Sequence, residues 1–126
     1  MIARACVALV AVVVLAWLGL NERAVRLQAD GIAATGRQDF DAAERHFRRA
    51  RLWNPDPTPD LQRSYVYAAS SRQPQAVALL EDVLRREPDN RSAWGLLLDF
   101  SEEEPAVARR AREALRRLDP VNARAR

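Results

Sequence analysis

The side chains that most often carry out chemistry are scarce in this chain. Cys6 and His46 are its only cysteine and histidine. No disulfide can form within it, and a metal centre would have to be built from carboxylates alone. Cys6 opens an apolar run instead of following one, unlike an acylated lipoprotein cysteine, and reads as a small apolar residue of a membrane helix. His46 falls between Arg45 and Phe47 in helix-forming text and reads as a surface residue. Glu102, Glu103 and Glu104 are adjacent carboxylates, but adjacent helical positions face different ways, so a solvated turn explains them. There is no glycine-rich phosphate loop and no pair of histidine ligands. An active site needs a positioned nucleophile, base or metal, and these residues predict a protein that is not an enzyme and has no cofactor.

Charge narrows the remaining classes. All 20 basic residues are arginine, and the net charge is +3. Guanidinium forks suit phosphate, yet the arginines alternate with acids, Arg23 beside Glu22, Arg45 beside Glu44, Arg85 and Arg86 beside Glu87. No uniform basic face results, so nucleic acid is not the expected partner. An Arg- and Ala-rich background composition accounts for the arginines. Between them apolar residues recur at helical spacing, the mark of a folded helical domain.

The elements that must position these side chains begin with Ala5 to Leu20, which contains no charged or strongly polar residue. As a helix this run is about 24 Å long, against about 30 Å for a hydrocarbon core. With Ile2 and Ala3 included and Arg4 snorkelling, it reads as a transmembrane signal anchor over residues 1–20, contacting the lipid bilayer through 2–20. The rival reading is a cleaved secretory signal. Small residues at alternate positions fit only at Val14 and Ala16, inside the run. The expected location is therefore the cell membrane, single-pass, with residues 21–126 extracytoplasmic; the positive-inside count, with Arg23 and Arg26 after the run, points the other way.

Residues 21–126 read as three helix pairs, each closed by a proline: Pro55, Pro88 and Pro120. The prolines fall at nearly equal intervals. Gly36 is an expected helix stop, Asp39 or Asp41 an N-cap, and Pro74 and Pro105 sit where the first turn of a helix accepts proline. No proline or glycine separates Leu20 from Asp30, so the apolar helix is expected to continue unbroken into the first pair.

The first pair carries Leu27, Gly31, Ala43, Phe47, Ala50 and Pro55 at the spacing of a tetratricopeptide repeat. The second carries Ala76, Leu80 and Pro88, and the third Trp94, Leu97 and Pro120, with Leu98 where the motif has a small residue. The chain thus resembles the tetratricopeptide repeat family over roughly Ala24 to Pro120, in units of about 24–55, 58–88 and 91–120. The resemblance implies an all-α fold, a short α-solenoid of about three hairpins after the anchor, with an arginine-rich last helix as its cap. It also implies a concave groove lined by the first helix of each pair. By this register Gln28, Ile32 and Thr35, then Gln62 and Val66, then Gly95 and Asp99 face the groove, with Trp53, Tyr65 and Tyr67 as candidate aromatic anchors. The family's carboxylate-clamping lysines and asparagines are not found at these positions. The implied function is a membrane-anchored protein–protein interaction scaffold or adaptor of the bacterial envelope type, in a setting such as cell-envelope or surface-polysaccharide assembly. Its partner would be another protein, membrane-associated, whose helix or extended peptide lies in the groove. The alternative is a signal-cleaved, soluble, periplasmic chaperone-like module.

Overall fold

The computed structural model describes residues 2–101 and 103–119, with side chains from Val10 onward. Pro120, Glu102 and the side chain of Cys6 lie outside the described residues. Six helices follow in order: α1 (Ile2–Gly36), α2 (Phe40–Trp53), α3 (Thr58–Ala69), α4 (Gln73–Arg86), α5 (Arg91–Phe100) and α6 (Pro105–Leu118). There is no strand among the described residues. The chain divides into two compact units, residues 1–56 with α1 and α2, and residues 57–126 with α3 to α6.

The expected membrane anchor is overturned. Among the described residues no helix is long and apolar enough to cross a membrane. α1 is a single helix of 35 residues, but its length comes from two unlike parts. The uncharged run ends at Leu20, about 24 Å from its start and short of a hydrocarbon core of about 30 Å. Glu22, Arg23 and Arg26 then follow along the same helix. The single-pass location, the bilayer contact through residues 2–20 and the orientation of the repeats across a membrane fall with the anchor. What the structure does show is that Val10, Val12, Val13, Val14, Leu15, Trp17, Leu18 and Leu20 are all exposed on α1.

The helix ends follow local chemistry. The Asp39 carboxylate accepts from the Ala42 amide at 3.0 Å and caps α2, and Asn90 does the same for Ala93 at the start of α5. Pro59, Pro74 and Pro105 each occupy the first turn of their helix, where a missing N–H costs nothing. Gly36 is the last residue of α1 without positive φ; the left-handed residue that reverses the chain is Gln38, φ 61°. Its amide donates to Thr35 O at 2.9 Å, and that of Asp39 to Ala34 O at 3.0 Å. The α3–α4 connection repeats this pattern at equivalent positions. Ser71 has φ 60°, its amide donates to Ala68 O at 3.1 Å, and that of Arg72 to Tyr67 O at 2.7 Å.

That repeated turn fixes the register. In the first hairpin, a Cβ on Gly31 would lie 2.5 Å from Cε1 of Phe47, so the ring fills the space that glycine leaves. Counted from the matching turn, the corresponding residues of the second hairpin are Ser64 and Leu80, both fully buried. Gly31, Ser64 and Leu97 are evenly spaced along the chain, and Leu97 is fully buried in its turn. The middle buried residue of α6 is Ala111, which shares the core cluster with Leu97. Leu97 rather than Leu98 therefore stands at the place of Gly31. In the second unit α3 packs on α4 and α5 on α6, α4 lies against α5, and α3 runs beside α5. Val77, Leu80, Val83, Leu84, Ala93, Leu97 and Ala111 form one cluster of its apolar core.

Candidate functional site

In the first unit Ile32 is 57% exposed, while Gln28 and Thr35 are half-buried. The Thr35 hydroxyl donates to its own helix, to Gly31 O at 2.9 Å. Val25, Ala29 and Ile32 are exposed, at spacings of four and three that place them on one face of α1. No sequence signal singles out Ala29, because a small apolar side chain is neither an anchor nor a hydrogen-bonding group. At the end of α2, Leu52 and Trp53 are exposed, so Trp53 is accessible, as an anchor must be.

In the second unit one expected groove residue is displaced. Val66 is 1% exposed and belongs to the core. The open row of α3 is Gln62, half-buried, with Tyr65 and Ala69, both exposed. One residue of register turns a helical side chain by about 100°, enough to exchange an open position for a buried one. Tyr65 meets Phe100 of α5 edge to face, with ring centroids 5.6 Å apart. Asp99 is exposed, and a Cβ on Gly95 would meet nothing within 4 Å. The Tyr65–Phe100 contact thus joins the open row of α3, with Gln62, to α5, the helix that carries Gly95 and Asp99, and this α3–α5 strip holds amide, aromatic and carboxylate groups. Phe100 had no signal in the sequence, because its partner lies two helices earlier.

The strip's supports are polar. Asp60, buried at the start of α3, accepts from Arg86 Nη2 of α4 at 2.9 Å and from Arg63 at 3.4 Å. Arg86 also reaches Asp82 at 2.9 Å. The bond to Asp60, opposed by partial burial and helped by Asp82, raises the pKa of the Arg86 guanidinium further. Asp82 is lowered below the usual aspartate value: partial burial works against this, but the hydrogen bond from Arg85 and the charges of Arg86 and Arg85 outweigh it. Tyr67 is engaged internally, with Arg63 and Arg72 lying 5.7 and 4.8 Å from its ring centroid and its hydroxyl accepting from Arg63 Nη2 at 3.0 Å. Among the described residues Gln62 Oε1 is buried without a hydrogen-bond partner, as is Nδ1 of His46. His46 is half-buried, not a plain surface residue.

The residues that carry the repeat pattern are mostly core: Ala43, Phe47, Ala50, Ala76, Leu80 and Leu97 are buried. Leu27, one turn before Gly31, is half-buried. Trp94 is half-buried and its indole N–H donates to Pro88 O at 2.8 Å. Pro55 and Pro88 lie in the connections after α2 and α4. Among the described residues no group of three or more His, Cys, Asp or Glu side chains is placed to hold a metal ion. The strip can make hydrogen bonds, ring contacts and ion pairs with another molecule. The chain matches no protein-family model and no curated protein.

Proposed function

We propose that this chain is a non-catalytic protein-interaction module of tetratricopeptide type, whose first helices each offer an open face to a helical or extended segment of another protein. The observation that carries the reading is a repeated open position. Ile32 on α1 and Tyr65 on α3 each follow directly on the small residue of their hairpin, Gly31 or Ser64, and stand 57% and 58% exposed. Each offers a large side chain that a partner can desolvate, and at Tyr65 the neighbouring Gln62 adds an amide for hydrogen bonding. The role that follows is that of an adaptor bringing its partner to a larger assembly.

Photo-crosslinking residues placed at Ile32, Gln62 and Tyr65 test this against a control at Ala78, which is exposed on α4. The same partner is expected from the first three sites and not from Ala78. Capture from Gln62 is expected to fall when Tyr65→Ala is added. Equal capture from Ala78, or none from the open rows, would remove the reading.

A further inference from the structure

The second unit carries another feature, separate from the α3–α5 strip. An open recess of about 290 Å³ is lined by Glu81, Leu84 and Arg85 of α4, Trp94 of α5 and Arg110 of α6. Leu84 is buried and belongs to the core, so it and the indole form a fixed apolar wall. The Trp94 N–H is committed to Pro88 O, which holds the ring in one orientation. Over that ring, 5.9 Å from its centroid, lies the Arg110 guanidinium, and the same guanidinium pairs with Glu81. The recess therefore already holds one carboxylate on an arginine beside an aromatic wall. Glu81 is an internal occupant of a place that another carboxylate would fit.

The surroundings favour anions. On α6, Arg109, Arg112, Arg116 and Arg117 are exposed, and none has an ion-pair partner among the described residues. Arg117 lies two helical turns beyond Arg110 and so on the same side of the helix. Both partners of the Arg110–Glu81 pair keep contact with water, with side-chain exposures of 53% and 37%. Exposed pairs of this kind are weak and exchange readily.

We propose that this recess docks a short acidic peptide segment of a partner protein. An aromatic or aliphatic side chain sits against Trp94 and Leu84, one carboxylate replaces Glu81 on Arg110, and flanking carboxylates reach Arg85, which lines the recess, and Arg117. The interleaved acids select a peptide over nucleic acid. Glu81, Asp82 and Glu113 stand among the arginines, and a continuous phosphate backbone would have to lie against them, whereas single carboxylates on a peptide reach the guanidinium groups individually. The inference does not depend on the α3–α5 strip, which uses other residues.

Calorimetric titration of the full chain with a capped pentapeptide, Glu-Glu-Phe-Glu-Glu, provides the test. Saturable binding is expected, weakening as salt is raised. Glu81→Gln frees Arg110 and is expected to tighten binding by up to about fivefold, whereas Arg110→Ala weakens it by about tenfold. The neutral analogue Gln-Gln-Phe-Gln-Gln is expected to bind at least about tenfold more weakly. Absence of saturable binding, unchanged or weaker affinity in Glu81→Gln, or equal affinity for the neutral analogue would overturn the proposal. So would a single-stranded oligothymidylate that binds more tightly than the acidic peptide, which would assign the arginines to nucleic acid. Because Glu81→Gln is expected to gain affinity, the test survives even where Arg110→Ala fails to fold.

Discussion

The α1–α2 and α5–α6 hairpins place opposite solutions at the same point of their architecture. In the first, the long first helix contributes only Gly31 and the second fills the gap with the Phe47 ring. In the third, the first helix contributes a fully buried Leu97 and the second reduces to Ala111, flanked by Ala108 and Ala114. The α3–α4 hairpin stands between them in sequence, with Ser64 and Leu80. As the residue on the first helix grows from glycine to serine to leucine, the one on the second shrinks from phenylalanine to leucine to alanine. Volume is conserved while identity is not, as close packing requires.

The strongest way to break this comparison is to empty one side of it. Phe47→Ala is expected to cost about 3–5 kcal/mol in urea unfolding. Gly31→Leu added to that variant turns the first hairpin into a copy of the third and should restore a large share of the loss. If the double variant is no more stable than Phe47→Ala alone, the exchange of volume is not what relates the two hairpins.

The middle hairpin differs in carrying the buried Asp60. Arg86→Met leaves that carboxylate in the interior with Arg63 at 3.4 Å as its remaining arginine among those bonds, and a loss of about 3 kcal/mol is expected. Asp60→Asn should cost less, since Arg86 is 39% exposed and keeps Asp82. Equal losses in the two variants would show that desolvation of Asp60 does not set the scale.

Two glycines sharpen the contrast with opposite signs. Gly31→Ala drives a Cβ into the Phe47 ring and should destabilise by about 1–3 kcal/mol. Gly95→Ala places its Cβ in open space and should stabilise α5 by about 0.5–1 kcal/mol. Thermal melts of the two variants are expected to move in opposite directions, and a shift of both in one direction would contradict the packing described.

The smallest effect is electrostatic and confined to the second unit. Asp82 is lowered in the folded state, so its contribution is complete above the unfolded aspartate value of about 3.9 and is lost as pH falls through the lower folded value. Asp82→Asn should flatten the acid limb of the stability profile below about pH 4 and leave the neutral limb's slope unchanged. An acid limb identical to that of the unaltered chain would remove Asp82 from that role.

Much of this architecture was legible in the sequence because its signals are local. Asp39, Pro74 and Pro105 mark helix starts through groups within one turn, and Gly31, Ala43, Phe47 and Ala50 carry the spacing of the first hairpin. The functional face was less legible because a face depends on angle as well as spacing. A slip of one residue moved the open row from Tyr65 to Val66 and the small position from Leu97 to Leu98. The Asp60–Arg86 pair joins two helices, and it and the Tyr65–Phe100 contact need the tertiary fold to exist at all. The membrane expectation failed where an apolar run of marginal length was combined with the polar helix that continues it.

The left-handed residue at Gln38 and again at Ser71 has a consequence for how such a chain can arise and change. Two connections have the same hydrogen bonds at matching places in successive hairpins, so exchanging one for the other would leave the turn itself intact. A crossover there would mate Gly31 with Leu80, or Ser64 with Phe47, leaving a void or a collision. Inheritance by whole hairpins avoids both, so the hairpin, not the helix, is the unit that recombination can copy without repair.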